Sequence, residues 1–413
     1  MSKKKNLNTF VEERKSDEIK RKINILIKSR FTLASLKKSE VLLYDIEVAS
    51  FYLKMFKKVS YETLDTRLKK IHIFSLLRAL LTKIKYNELT LKQCYIMEQI
   101  KDVNPKYLIS FTNVDIFFWT LKKYFPRKKF LVFQTGAING HTPNPFSSFK
   151  EKYNVKFKVD YVFTWGKNLF KMYKDCLDCN LFDSGSLLNN FFLNKKLTKK
   201  KSRYIIFISQ YKKSSVLLRT QNNDIVSQKE TFHKHREHLL KIISKFCKSK
   251  KFKLRIFPRS YDLNGWLNEK DYYEKMFKDI KLPLMKRSGK NDIYKCLAEY
   301  QNFITIDSSS GYEALARGKR VCFLNIKYSF SKFINAENHR YGWPKKLPIN
   351  FAFWSSSHEK EHVENALNFA FLSSKNIWKK IKINYVDPII TFDPKNKRLL
   401  KKMKTLNLKI NIQ

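Results

Sequence analysis

Short apolar runs of strand length recur along the chain between stretches of helical periodicity, and this pattern constrains the fold more than any other feature. In the first half the runs lie at 41–46, 107–111, 129–134, 161–166 and 181–185. In the second half they lie at 204–209, 252–258, 302–306 and 320–326. Runs that are apolar throughout are typical of strands buried on both faces, as in a parallel sheet covered by helices. The sequence therefore predicts an α/β fold.

The two series of runs predict two domains. A chain of 413 residues exceeds the roughly 250–300 residues at which a single core stops growing. A lysine-rich stretch near 190–203 separates the two series, so we predict an N-terminal domain over 1–195, a C-terminal domain over 196–380 and a terminal helix and tail over 381–413. Two Rossmann-like domains joined in this way face a central cleft, where ligands of such sheets bind.

Basic residues greatly outnumber acidic ones. The chain has 84 Lys and Arg against 36 Asp and Glu, a net charge of +48, which favours phosphate, nucleic acid or an anionic membrane as partner. The lysines are spread along the whole chain, as a general bias toward lysine on solvated surfaces would also produce. Because they form no stripe with aromatic residues, we expect no nucleic-acid partner, while a lysine-rich face would suit the anionic inner leaflet of the plasma membrane.

The sequence predicts a cytoplasmic protein. No stretch reaches the roughly 18 apolar residues of a membrane-spanning helix, and no apolar core follows the basic start MSKKKNLNTF as it would in a signal peptide. The six cysteines are irregularly spaced, which is typical of reduced thiols rather than of a disulfide framework. Peripheral attachment to the inner face of the membrane is the alternative to a fully dissolved protein.

The stretch IDSSSGYEALARGKRV at 306–321 places a Ser/Gly loop between an apolar run and a helix-forming segment. A strand that ends in such a loop leaves N–H groups unpaired at the helix start, at the positive end of the helix dipole, and this arrangement binds anions. We predict that Ser308, Ser309, Ser310 and Gly311 contact a diphosphate, with Gly311 allowing close approach of the ligand. Glu313 would accept hydrogen bonds from ribose hydroxyls. Serine and glycine also cap many helices that bind nothing.

DSSSGYEALARGKRV resembles the nucleotide-sugar loop of GT-B glycosyltransferases and of related sugar-nucleotide epimerases. Further segments resemble, in order, the bacterial surface-carbohydrate (capsule and lipopolysaccharide) biosynthesis proteins: SFTNVD (110–115), FQTGAING (133–140), VDYVFTWG (159–166), DSGSLLNN (183–190), FISQY (207–211) and YVDPIITFD (385–393). The resemblance implies a GT-B-like architecture. It also implies transfer of a sugar from a nucleotide-sugar donor to a surface polysaccharide or lipid-linked glycan precursor. Thr135 departs from the family pattern, which usually has Asn at that position.

Two arginines flank the end of the run at 252–258. Guanidinium groups suit a diphosphate, and in a family of this kind a basic residue after this strand would stabilise the nucleotide leaving group, so Arg255 and Arg259 are candidates. Arg259 is favoured because Arg255 alternates with apolar neighbours and also fits a solvated strand position.

The loops of the N-terminal domain supply the other candidates. His141 in QTGAINGHTPNPF is a candidate base for the acceptor hydroxyl, and Asp115 competes for that role. Gly185 and Ser186 in DSGSLLNN would either touch the donor from the opposite wall or turn the chain into the linker.

Three functions are compatible with these features. Glycosyl transfer needs no cofactor besides the nucleotide-sugar donor and, in the absence of a DxD pair, no metal ion. A sugar-nucleotide epimerase would share the loop but needs acidic and histidine residues around the sugar ring. A non-enzymatic basic protein that binds nucleic acid would show strongly salt-dependent affinity.

Overall fold

The computed structural model describes residues 27–112, 115–137, 156–192, 201–211, 217–219, 225–227, 234–277, 284–325 and 350–410. The described strands are β1 (Arg30–Thr32), β2 (Val41–Tyr44), β3 (Tyr61–Thr63), β4 (Lys70–His72), β5 (Tyr107–Ser110), β6 (Lys129–Phe133), β7 (Phe157–Thr164), β8 (Leu177–Asp183), β9 (Lys201–Ile208), β10 (Leu217–Arg219), β11 (Ile225–Ser227), β12 (Lys253–Phe257), β13 (Tyr300–Thr305), β14 (Arg320–Leu324), β15 (Asn350–Phe351) and β16 (Trp354–Ser355).

The described α-helices are α1 (Ile46–Ala49), α2 (Ile73–Lys85), α3 (Leu91–Val103), α4 (Ile116–Tyr124), α5 (Phe170–Cys176), α6 (Leu187–Phe191), α7 (Lys234–Ser249), α8 (Leu263–Met276), α9 (Asp292–Glu299), α10 (Ser309–Ala316), α11 (Lys360–Leu372), α12 (Lys375–Ile381) and α13 (Lys397–Thr405). Within the residues that the structure describes, no helix combines the length and apolarity needed to cross a bilayer.

The first six-stranded sheet has the order β3-β2-β5-β6-β7-β8, and all its neighbouring strands are parallel. Successive side chains in a strand point to opposite faces. Leu42 and Leu108 therefore pack against the core beneath α3 and α4, while Leu43 and Ile109 pack on the other face. This sheet is buried on both sides, as its apolar runs predict.

The second six-stranded sheet has the order β12-β9-β13-β14-β16-β15. Its strands pair in parallel except for β15, which lies antiparallel to β16 at the edge. Ile205, Ile206, Phe303 and Val321 of its central strands are fully buried in one core. The two sheets are thus separate layers, each with its own hydrophobic core.

The end of the chain returns to the first sheet. Leu399 and Met403 of α13 pack in the core on the face of β2 and β5 that carries Val41 and Leu43. Arg398 forms an ion pair with Asp183 at the end of β8, with 2.9 Å between Nη2 and Oδ1. The terminal helix predicted within 381–413 therefore closes one face of the N-terminal domain.

The predicted fold class is confirmed, and all the apolar runs are strands to within a few residues. Strands such as β3, β15 and β16 were not predicted, because two or three residues are too few to show a periodicity. The domain limits remain a prediction from sequence. Along the chain, the last strand of the first sheet ends at Asp183 and the first strand of the second sheet begins at Lys201.

Candidate active site between the two sheets

The loops at the carboxyl ends of the two sheets meet at the start of α10. Ser309, the first residue of that helix, accepts a hydrogen bond through Oγ from the amide of Ala137, at 3.1 Å. Ala137 belongs to the loop that follows β6, in the first sheet. Gln134 holds this loop in place, since its amide group donates to the carbonyl of Gly136 and accepts from the amide of Trp165. The sequence-predicted serine loop therefore does face the other domain.

The amides at the turn from β13 into α10 are largely paired within the protein. Asp307 N donates to Oε1 of Gln210, and Ser308 N donates to Oγ1 of Thr305. Ser308 is the N-cap residue, whose Oγ accepts from Ser310 N at 3.3 Å. The loop that the sequence predicts as a diphosphate cradle is thus a well-capped helix start, and the Oγ of Ser309 is its contact with the opposite domain.

Gly311 has a packing role that the sequence analysis did not foresee. A β-carbon at this position would lie 2.6 Å from Cγ2 of Thr305 and 3.0 Å from Cζ of Phe323. Real atoms do not approach so closely, so only glycine lets α10 lie this near β13 and β14. The structure gives Gly311 a role in helix-on-sheet packing, and its predicted contact with a diphosphate stays a prediction.

Glu313 lies at the centre of a buried polar cluster between the domains. Its side chain is only 5% exposed. Its Oε1 accepts hydrogen bonds from Oγ of Ser186, at 2.5 Å, and from the hydroxyl of Tyr294, at 3.1 Å. Burial raises the pKa of Glu313 to about 7, although the two hydroxyls and the charge of Arg317 act in the opposite direction. Its predicted role on a ribose stays a prediction, and in the structure its carboxylate binds protein hydroxyls.

Arg317 and Asn189 extend this contact between the domains. The guanidinium of Arg317 donates to Oδ1 and to the carbonyl of Asn189, at 2.6 and 2.7 Å, and to the carbonyl of Phe192, at 2.8 Å. The amide of Asn189 in turn donates to the carbonyl of Glu313. The guanidinium group thus binds two backbone carbonyls and one side-chain amide oxygen, and these contacts fix α6 against α10.

Gly185 and Ser186 support the chain turn and the interface. Gly185 has a φ of +72°, and a β-carbon there would lie 2.0 Å from the carbonyl oxygen of Thr391. Ser186 caps α6 and donates to Glu313. Both predicted roles, contact with the donor and a turn into the linker, stay predictions.

The segments DSGSLLNN and YVDPIITFD, which carried part of the family resemblance, bind each other. Asn190 donates to the carbonyl of Ser184 and to Oδ1 of Asn396, and its own Oδ1 accepts from Asp393 N. All three distances are between 3.0 and 3.1 Å. This buried network locks the returning C-terminal segment onto the end of β8.

The two candidate arginines lie in different environments. Arg259 follows β12 at the carboxyl end of the sheet, and its side chain is exposed. Arg255 instead donates to the hydroxyl of Tyr300 at 3.0 Å and lies over the ring of Tyr204, 4.5 Å from its centroid. Because Tyr300 begins β13, Arg255 points toward the opposite end of the strands from the serine loop. The structure brings Arg259, and not Arg255, to the edge that carries α10.

The structure describes one of the two candidate bases. Asp115 caps α4 by accepting from Phe118 N at 3.2 Å. Burial and the charges of Asp115 and Asp45 raise the pKa of the Tyr44 hydroxyl, which hydrogen bonds to Asp115. His141 lies outside the described residues. A catalytic role for either residue stays a prediction.

Sequence reasoning missed Arg317, Asn189 and Tyr294, which complete the cluster around Glu313. Their partners come from distant parts of the chain, and no spacing within any one motif signals them. A pocket of about 130 Å³ beside this cluster is lined by both domains. It takes Phe51 and Lys54 from the first domain and Lys290 from the second.

Two predominantly parallel α/β sheets whose carboxyl edges meet at a Ser/Gly helix start define a protein of the GT-B class. The sequence profile of a family of O-antigen biosynthesis proteins matches residues 131–407, more than half of the chain, and the chain belongs to this family. The predicted resemblance to surface-carbohydrate biosynthesis proteins is thereby confirmed. No curated protein matches the chain.

Solved structures share this architecture at low sequence identity. A UDP-N-acetylglucosamine 2-epimerase from Listeria monocytogenes is similar with a TM-score of 0.51 and 13% identity, over 90% of this chain and 97% of that chain. A glycosyltransferase from Rickettsia africae is similar with a TM-score of 0.45 and 16% identity, over 90% of this chain and 99% of that chain. The likeness to the epimerase concerns the fold, and it agrees with the predicted two-domain arrangement.

Proposed function

We propose that this protein transfers a sugar from a nucleotide-sugar donor to a growing surface glycan or its lipid-linked precursor. The observation that carries the proposal is the meeting of the β6 loop with the start of α10, through Ala137 and Ser309. In open α/β sheets, ligands bind beyond the carboxyl ends of the strands. At present Oγ of Ser309 accepts from the amide of Ala137. The diphosphate oxygens of a bound donor would instead accept a hydrogen bond from the hydroxyl of Ser309, beside the positive end of the helix dipole.

The position of Arg259 supports a diphosphate at this edge. Arg259 follows β12, which is separated from β13 by β9 alone. Neighbouring strands lie about 4.8 Å apart, so the ends of β12 and β13 are about 10 Å from each other. A diphosphate that spans the end of β9 would therefore contact Ser309 on one side and the guanidinium of Arg259 on the other.

The proposed reaction needs a base and a stabilised leaving group. An acceptor hydroxyl attacks the anomeric carbon of the sugar, and the bond between that carbon and the diphosphate oxygen breaks. Asp115 or His141 takes the proton of the hydroxyl. Arg259 and the start of α10 stabilise the charge that develops on the nucleoside diphosphate, without a metal ion.

A binding and turnover experiment tests the proposal. The protein is screened by thermal shift against UDP-, GDP-, CDP- and dTDP-sugars, and release of the nucleoside diphosphate is then measured with and without EDTA. We expect one donor to stabilise the protein, and Ser309→Ala and Arg259→Gln to weaken that stabilisation. Ser249→Ala, an exposed serine at the end of α7, is the matched control. Binding that is unchanged in both site variants would refute the site.

The fold shared with the Listeria epimerase favours a second candidate function. An epimerase converts the donor sugar without any acceptor. NMR of the nucleotide sugar incubated with protein alone distinguishes the two: a new sugar epimer indicates epimerisation, whereas acceptor-dependent release of nucleotide indicates transfer.

A further inference from the structure

Helix α2 exposes its apolar face and buries its polar one. Its outward side chains are large and apolar: Phe74 is 50% exposed, Leu77 55%, Leu80 49%, Leu81 69% and Ile84 79%. A helix on the surface of a globular protein normally turns such residues toward the core. We call this face, with those five residues, the outward face of α2.

The buried side of α2 explains this orientation. Ser75, Ala79 and Thr82 face the protein, and α2 packs on α3. Ser75 donates to Asp102 at 2.6 Å, and Thr82 donates to Glu98 at 2.5 Å. Arg78 adds hydrogen bonds and an ion pair to Asp102. These small residues and polar contacts fix α2 on α3. The large apolar side chains of α2 therefore point away from α3, toward the surface.

A neighbouring strand extends the apolar surface. β1 pairs in parallel with β4, the strand that leads directly into α2. Phe31 of β1 is 56% exposed, and the adjacent Leu33 and Ile27 are 65% and 74% exposed. Large apolar side chains exposed together on neighbouring elements mark an interaction site.

The chain segments that form this surface contain basic residues and no acidic ones. The segments 27–39 and 66–87, which contain β1, β4 and α2, include no Asp or Glu. They do include exposed cations at Lys28, Arg30, Lys70 and Lys85. An apolar face flanked by cations is complementary to a bilayer with anionic headgroups, in which the helix lies parallel to the surface. A second copy of the chain fits less well, because a two-fold contact would bring these like charges together.

We propose that the outward face of α2 binds the surface of a bilayer that contains anionic phospholipid. The leucines, Phe74 and Ile84 enter the boundary between headgroups and acyl chains, and the flanking Lys and Arg side chains contact lipid phosphates. This proposal is independent of the reaction that the protein catalyses, since it concerns lipid binding by a surface remote from α10 in the sequence.

Vesicle flotation with the full chain tests the proposal. The vesicles contain phosphatidylcholine, with or without about one third phosphatidylglycerol. We expect binding to the anionic vesicles, and the triple variant Leu77→Gln, Leu81→Gln, Ile84→Gln should bind at least about tenfold more weakly. The matched control carries Leu263→Gln, Leu267→Gln and Ile383→Gln, which are also exposed apolar residues; it should bind as the wild type does. Equal binding by the two triple variants, or no binding by the wild type, would overturn the proposal.

A site-specific label separates lipid insertion from misfolding and from self-association. Leu81→Cys is labelled with an environment-sensitive dye in a Cys179→Ser background, because Cys179 is the one cysteine that is not buried. On anionic vesicles the dye emission at position 81 should shift to the blue, while the same label at Leu267→Cys should not respond. A dimer in solution that the α2 triple variant dissociates, with no dye response to lipid, would assign the surface to self-association and refute lipid binding.

Discussion

The carboxyl group of Glu313 makes the stability of this protein depend on pH in a direction that can be predicted. The folded protein holds its pKa at about 7, against 4.5 for an ordinary glutamate, chiefly because the group is buried. The folded state therefore binds more protons than the unfolded state between these two values. The stability contributed by the protonated acid is complete below pH 4.5 and is lost as pH rises through about 7.

The substitution Glu313→Gln removes this dependence while preserving the hydrogen bonds. Glutamine keeps an oxygen that accepts from Ser186 and Tyr294. A difference of one in pKa is worth about 1.4 kcal/mol, so the change from 4.5 to about 7 corresponds to about 3 kcal/mol. The variant should match the wild type near pH 4.5 and be more stable than the wild type by up to about 3 kcal/mol at pH 8.

Urea unfolding followed by tryptophan fluorescence at pH 5, 6, 7 and 8 measures this difference. Other titrating groups cancel when the variant is compared with the wild type at each pH. Glu274→Gln serves as control, because that side chain is 65% exposed on α8 and should show no such trend. If Glu313→Gln differed in stability from the wild type by the same amount at every pH, the pKa of Glu313 would be equal in the folded and unfolded states, and the reasoning from burial would fail.

Three further predictions concern contacts around this cluster. Arg317→Ala removes a cation that lowers the pKa of Glu313, so the loss of stability with rising pH should move to higher pH. The same variant leaves carbonyl groups without their hydrogen-bond donor, and thermal melting should show that the free energy of unfolding falls by about 2–4 kcal/mol. Gly311→Ala should lower the free energy of unfolding measured in urea by about 1–3 kcal/mol, because the new β-carbon meets Thr305 and Phe323. Gly289→Ala is the control and should leave the free energy of unfolding nearly unchanged, because nothing lies within 4 Å of its new carbon. Asn190→Ala should lower the free energy of unfolding by about 2–4 kcal/mol, because three buried groups lose their hydrogen-bond partner. It should also make the C-terminal segment susceptible to limited proteolysis. The same change at the exposed Asn264 should leave the digestion pattern unaltered.

The sequence alone determined the layers of the fold and the position of the serine loop. Strands buried on both faces need continuous apolar runs, and those runs are visible without knowledge of the partner strands. The loop before α10 is likewise local, since a strand end, a capping serine and a helix follow one another along the chain. The family resemblance also depended on short segments that the sequence displays directly.

Only the tertiary structure decided what the individual residues of the loop contact. Ser186 lies 127 residues from Glu313 along the chain, yet the two share a hydrogen bond that helps bury the carboxylate. The side chains of Thr305 and Phe323 give Gly311 a packing role that its place in the loop does not signal, while its contact with a ligand stays a prediction. The apolar face of α2 has the periodicity of a core helix, and its outward orientation follows from hydrogen bonds to α3. Burial and pKa depend on which distant atoms surround a group, and periodicity along the chain does not encode those neighbours.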